Sequence, residues 1–219
     1  MKADEAYQCG KCGLPLFFHD DIGHARDTIR ANIEALGKAA CDAVLVDCAT
    51  CGSALGNVYP KLMEELGLSA DGARAVATKV WNMGEFVQEN FRRLAPHLEP
   101  DQPQEDVTYH LPCHLKNHGK GPSRVEALLQ ALPHVDYRHA PDWDVCCGGG
   151  GLFGNEFPEI SRKIVATKIA HALDSGARHW ATGCPGCRVQ LAGNLPRKGL
   201  MTACHPMEIV ARGLTTDHY

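Results

Sequence analysis

Short apolar runs alternating with helix-period segments predict an α/β protein made of two pseudo-repeated cysteine-rich α/β units, the first lacking its opening segment. Besides the alternation itself, two observations carry this. Apolar runs end on cysteine pairs: Ala43-Val44-Leu45-Val46 leads to Cys48-Ala-Thr-Cys51, and residues 178–182 lead to Cys184-Pro-Gly-Cys187. The chain also duplicates itself. Cys12-Gly-Leu, helix, strand, Cys48-x2-Cys51 mirrors Cys147-Gly-Gly, helix, strand, Cys184-x2-Cys187, with 35 and 36 residues in the respective gaps. The copies lie about 135 residues apart, and nothing before Cys9 matches the strand and Cys113 that open the second copy. The chain thus reads as a protein missing the start of its first repeat.

Each element follows from its pattern. Residues 23–36 place Ile29, Ile33 and Leu36 at helical intervals behind a cap at Asp20 or Asp21. A short buried strand covers 43–46, and helices are expected over 59–66 and 75–94, where Trp81 and Phe86 at helical spacing read as core. Residues 99–104, with Pro100 and Pro103, form a polar linker that divides a first, incomplete domain (1–100) from a second (105–219). The pattern then restarts with a strand over 107–110 ending at Cys113. A helix over 123–132 follows, with Ser123 and Glu126 spaced as a capping box. A strand over 135–139 leads to Cys146-Cys147 and four glycines. Residues 157–173 read as helix, 178–182 as strand, and 205–214 as a closing helix with Met207, Ile209 and Val210.

Composition narrows the function classes. Hydrophobic residues at 44% and charged residues at 22% give an ordinary globular balance over 219 residues. A formal charge of −4 without a long basic run disfavours a nucleic-acid partner. No apolar stretch approaches the roughly 20 residues of a membrane span, and Met1 to Glu5 lacks the apolar core of a signal peptide. The expectation is a cytoplasmic protein, with any association at the inner face of the membrane made through partners.

Cysteine is the outlier: 11 residues, an odd number, most of them in Cys-x-x-Cys or Cys-Cys clusters. A secreted chain would show an even disulfide framework, and clustered thiols in a reducing compartment point to metal. The vicinal pair Cys146-Cys147 is also a poor structural disulfide, since adjacent residues bridge only through a strained ring. In an open α/β unit, sites collect beyond the carboxyl ends of the strands, which brings Cys113, Cys184 and Cys187 to one edge. The glycine run after Cys147 supplies backbone freedom and N–H groups for an inorganic core. Five thiols exceed what one tetrahedral zinc uses, which favours a polynuclear cluster. A single Cys-x-x-Cys is otherwise a zinc half-site or a redox dithiol. The glycine run alone is a flexible turn or a phosphate cradle, but it lacks the Lys-Ser/Thr of a P-loop and dinucleotide spacing.

The full pattern, Cys113-x32-Cys146-Cys147-Gly148-x35-Cys184-x2-Cys187, resembles the cysteine-rich CCG domain of heterodisulfide reductase and of the iron–sulfur subunits of glycolate oxidase and lactate dehydrogenase. His110-Leu-Pro-Cys113-His114-Leu, Cys-Cys-Gly-Gly-Gly-Gly151 and His205-Pro-Met-Glu-Ile-Val-Ala resemble the lactate and glycolate branch most closely. The resemblance implies that Cys113, Cys146, Cys147, Cys184 and Cys187 ligate a [4Fe–4S]-type cluster, non-cubane in some relatives. The first copy departs from the family: Cys9-Gly-Lys11-Cys12-Gly13-Leu14-Pro15 has Lys11 in place of the first paired cysteine, and the upstream single cysteine is absent. Cys9, Cys12, Cys48 and Cys51 still form a four-thiol metal set that suits zinc or a second cluster equally. A site that is vestigial or completed by another chain is the third reading.

The remaining candidates have simpler roles. Cys41 and Cys204 read as packing residues. His110 and His114 flank Cys113 and are candidates to hydrogen-bond cluster sulfur and raise its potential, or else His114 opens a solvent-facing turn. His19 and His24 read as surface or cap groups.

Three functions compete. The resemblance favours an electron-transfer subunit of a 2-hydroxy-acid (lactate or glycolate) dehydrogenase complex. Such a subunit takes electrons from a flavoprotein partner and passes them through another electron-transfer subunit to a downstream acceptor. No flavin or nicotinamide fingerprint is found, so the chain reads as an oxidoreductase subunit without a substrate-oxidising site of its own. The alternatives are heterodisulfide-type reduction at the cluster and a zinc-stabilised scaffold module.

Overall fold

The computed structural model describes residues 12–121, 123–151, 153–197, 199 and 201–215. The chain splits into two compact units, residues 1–44 with 54–80, and residues 45–53 with 81–219. In order, the elements of the first half are α1 (Leu14–Phe18), α2 (Ile22–Lys38), β1 (Val44–Val46), α3 (Ala49–Ser53), a π-helical turn over Ala54–Val58, α4 (Tyr59–Glu65), α5 (Asp71–Lys79) and β2 (Val80–Asn82). β1 and β2 pair as a two-stranded sheet.

The first unit is helical. α2 forms because Asp21 caps it, accepting from the His24 N–H at 3.4 Å, and because Ala25, Ile29, Asn32 and Leu36 recur at helical spacing and are buried. Asn32 donates to the Tyr59 hydroxyl (2.9 Å), which donates to the Cys12 carbonyl (2.7 Å). His19 and His24 are exposed, as a surface and cap role requires.

The second unit continues with α6 (Met83–Glu89), α7 (Phe91–Leu94), a 3-10 turn over Ala95–His97, β3 (Glu105–Tyr109), α8 (Cys113–His118), α9 (Arg124–Ala131) and β4 (Val135–Tyr137). It closes with α10 (Phe153–Glu156), α11 (Pro158–Asp174), β5 (His179–Ala181), α12 (Pro185–Asn194), β6 (Thr202–Cys204) and α13 (Pro206–Arg212). The four strands form a parallel sheet in the order β4-β3-β5-β6, with Val107 opposite Tyr137 on one side and His179 on the other. α9 packs with α6 and α13, and α11 with α12. The core holds Val107, Tyr109, Leu128, Trp180, Leu191 and Ile209, all fully buried.

Three sequence expectations are corrected. The helix expected over 75–94 is broken at β2, because Val80 and Trp81 favour an extended backbone and Asn82 then caps α6, accepting from Gly84 N at 3.1 Å. Ser123 forms no side-chain cap on α9, and the Glu126 carboxylate instead accepts from the Tyr137 hydroxyl at 2.9 Å. The capping box lies on α13: His205 Nδ1 accepts from Met207 N, while Glu208 accepts from His205 N at 2.8 Å.

Candidate metal centre

Strand order determines where the site forms. The chain leaves β3 for β4 on one side, then crosses to β5 on the other, so the carboxyl ends of β3 and β5 flank a topological switch point. β3 exits through His110-Leu111-Pro112 into Cys113, the first residue of α8. β5 exits into Cys184, the residue before α12, where Pro185 at the first helical position presets the backbone and carries Cys187 inward. The loop from β4 brings Cys146 and Cys147, and Leu111 N donates to Trp143 O (2.9 Å) to fasten that loop to the end of β3.

Helix α11 secures the other side of the cysteine pair. Ser161 Oγ donates to Gly148 O (2.8 Å), and Gln190 Nε2 reaches both Ser161 Oγ (2.9 Å) and Cys147 O (3.4 Å). Gly148 takes φ +76°, and a Cβ on Gly149 would sit 2.9 Å from Gln190 Cβ. Two glycines of the run are therefore required by geometry.

The five second-half thiols form one connected row. Cys113 and Cys147 hydrogen-bond to Cys146, which also accepts from Gly148 N at 3.4 Å; these donors hold the Cys146 thiol far below its ordinary pKa. Hydrogen bonds from Cys187 and Cys48 do the same for Cys184, with Thr50 Oγ1 at 3.8 Å. The donors shift the other way: Cys113 and Cys187 are pushed up, and Cys147 is pushed up to about 11 by its bond to Cys146. Thiols with lowered and with raised pKa values thus lie side by side in the row, and binding of metal would displace the protons they share. Cys147, Cys184 and Cys187 are buried, Cys113 is half-buried and Cys146 is exposed. Cys113, Cys146, Cys147, Cys184 and Cys187 are not in disulfides.

The first-half set is distributed differently. Cys48 and Cys51 belong to the second unit, on and just before α3, which packs on α8; Ala49 N donates to Gly183 O at 2.9 Å. Cys48 therefore extends the second-half row. Cys12 lies buried in the first unit, at the start of α1, and Cys9 lies outside the described residues. Cys204 is buried at the end of β6, where burial pushes its thiol up to about 11; Cys41 is half-buried.

The histidines around Cys113 differ. A ring nitrogen of His110 and the sulfurs of Cys147 and Cys187 lie within 4.8 Å of one another. His110 is fully buried, and neither ring nitrogen has a hydrogen-bond partner among the described residues. Burial pushes its pKa down to about 3, so the ring is neutral, and one of its two nitrogens faces the sulfurs of Cys147 and Cys187. His114 Nδ1 pairs instead with Thr50 Oγ1 (3.1 Å), the hydroxyl that also approaches Cys184, and is not part of a free turn. Trp81 and Phe86 form a half-buried edge-to-face pair, with Lys120 over the Trp81 ring.

A row of thiols too numerous for one zinc, with an unpartnered buried imidazole beside it, fits an iron–sulfur cluster, whose sulfides accept hydrogen bonds and whose irons take thiolates. The cysteine-rich domain called CCG matches residues 1–56 and 107–192. The chain belongs to the CCG cysteine-rich domain family. The two matched stretches coincide with the two halves of the internal duplication. Among curated relatives, this CCG protein is 27% identical over 191 residues to lactate utilization protein A of Lysinibacillus sphaericus, covering 86% of this chain and 80% of that one. It is 27% identical to the probable glycolate oxidase iron-sulfur subunit of Bacillus subtilis, over 86% of this chain and 42% of the relative. It is 26% identical to a subunit of the dihydromethanophenazine:CoB–CoM heterodisulfide reductase of Methanosarcina barkeri, over 98% of this chain and 51% of the relative. The chain thus spans about half or less of the two longer relatives. Among the described residues no helix is long and apolar enough to cross a membrane.

Sequence reasoning overlooks three groups that shape the site: Ser161, Gln190 and Lys168. Lys168 has a readable signal, since it interrupts the apolar stripe Val165, Ile169, Ala172 of α11.

Proposed function

We propose that this CCG protein holds an iron–sulfur cluster on Cys113, Cys146, Cys147, Cys184 and Cys187. It would serve as the electron-transfer subunit of a lactate or glycolate dehydrogenase complex. A flavoprotein subunit delivers the electrons, and a further electron-transfer subunit takes them to a downstream acceptor. The observation that carries this reading is the convergence of the five thiols at the switch point between β3 and β5, linked by hydrogen bonds between neighbouring sulfurs.

When bound, the cluster supplies one-electron chemistry that no side chain of the protein offers. The chain's own residues do the rest. Cys147, Cys184 and Cys187 hold the group in a buried setting, and the exposed edge at Cys146 leaves a short approach for a partner. Ser161 and Gln190 hold the cysteine pair by its backbone, and His110 offers an N–H to sulfur without carrying charge.

The test is substrate-linked reduction. The anaerobically purified protein is mixed with its flavoprotein partner and lactate or glycolate, and the visible absorption of the cluster is followed. Bleaching that requires both partner and substrate is expected. No bleaching with an active partner would refute the role.

The exposed Cys146 edge also suits a second reading, heterodisulfide-type reduction, for which relatives named as heterodisulfide reductase subunits give precedent. Disulfide reduction by the chain and a reduced donor, with no flavoprotein present, would favour it. For Cys9, Cys12, Cys48 and Cys51, iron, zinc and sulfide counts distinguish zinc, a second cluster and no metal.

A further inference from the structure

One buried charge has no part in the function proposed above. Lys168 on α11 is only 3% exposed, a placement that lysine almost never takes without compensation. Its ammonium donates to the Asp142 main-chain oxygen, a neutral acceptor. The nearby carboxylates are engaged with other cations or potential cations, Asp142 with His171 (2.9 Å) and Asp144 with Lys116 (2.7 Å).

Helix geometry sets this charge against the loop that carries the thiols. Ser161 and Lys168 are seven residues apart, two turns along one face. Ser161 holds Gly148 O directly after the cysteine pair, and Lys168 holds Asp142 O, four residues before it. α11 therefore grips both ends of the loop that carries Cys146 and Cys147. Burial brings the Lys168 pKa down to about 8, and the Cys147 sulfur is foremost among the groups opposing that fall. The same ammonium acts on the buried His110 ring, second only to burial in disfavouring its protonation.

We propose that Lys168 is a built-in counter-cation of the thiolate set, raising the reduction potential of the cluster held there. It is a positioning residue and not a ligand, because its nitrogen is committed to a carbonyl. A positive charge fixed beside the thiolates favours whichever state carries one more electron, in proportion to the screening the interior fails to provide. The inference rests on the cluster reading given above and adds the residue that sets its potential.

The test uses the full chain, loaded anaerobically with iron and sulfide, and reads metal content and midpoint potential together. Lys168→Gln keeps a donor for Asp142 O and removes the charge, whereas Lys168→Arg keeps the charge. Lys168→Gln is expected to carry wild-type iron and sulfide at a lower midpoint potential, with Lys168→Arg close to wild type. A fully loaded Lys168→Gln at the wild-type potential overturns the proposal, and so does a Lys168→Arg shift as large as that of Lys168→Gln. If Lys168→Gln does not load, loading of Lys168→Arg supports a requirement for the charge, and failure of both variants assigns the lysine to packing alone. Wild-type protein without iron or sulfide would instead refute the cluster reading itself, so the two failures are distinct.

Discussion

Gly148 joins the cysteine pair to the glycine run at φ +76°, and a Cβ there would lie 3.1 Å from Ser161 O and 3.2 Å from Ile164. Replacing it strains a left-handed backbone and pushes on α11 at once. Gly148→Ala is expected to cost about 1–2 kcal/mol, read as a lower urea midpoint with an unchanged slope; wild-type stability would show that the loop relaxes freely. At this scale the sequence is most informative about sulfur, because cysteine spacing and the glycine run are chemical signals in their own right. His110 stands out by its place beside Cys113. Its burial against Cys147 and Cys187 depends on how β3 exits beside β5, which spacing alone does not encode. Repeat position groups Cys48 with Cys9 and Cys12, whereas backbone pairing of Ala49 with Gly183 sets it against Cys184.

Among the elements, long amphipathic helices and apolar strands are legible and short polar helices are not. α2 and α11 are readable from their apolar stripes, and β3 and β5 from their apolar content. α8 and α12 are harder to read, because Cys-His-Leu-Lys-Asn-His and Pro-Gly-Cys-Arg-Val-Gln-Leu-Ala-Gly-Asn carry one and two buried residues respectively, and their packing, α8 on α3 and α12 on α11 and β6, supports them. The cap on α13 is hidden since its acceptor is a histidine, an unusual residue at that position. α13 is also tied to the sheet by charge. Arg212 reaches both carboxylate oxygens of Glu105 on β3, at 2.8 and 2.7 Å. Burial pushes the Glu105 pKa up, but the Arg212 guanidinium outweighs it and holds the carboxyl below its ordinary value. A depressed carboxyl stabilises the fold above its unfolded pKa and loses that contribution as pH falls through the folded one. Glu105→Gln should therefore cost about 1–2 kcal/mol at pH 7. The gap to wild type in denaturant melts should close below about pH 4; a gap independent of pH would assign the loss to packing.

For the whole molecule, the duplication visible in cysteine spacing coincides with the two stretches matched by the CCG domain, and the parallel sheet of the second unit accounts for where the second set converges. What stays illegible in the sequence is how the chain divides in space. Residues 45–53 leave the first half to join the second unit, so a repeat boundary in sequence is not a boundary in the fold. The central claim is that the second-half thiols hold an iron–sulfur cluster. Its most direct measurement is the content of iron, zinc and acid-labile sulfide per chain after anaerobic purification, for wild type and for Cys147→Ser. Wild type should be brown and carry iron with sulfide, and Cys147→Ser should lose that cluster while keeping any metal bound through Cys9 and Cys12. Zinc alone, without sulfide, in the wild-type protein would contradict the account.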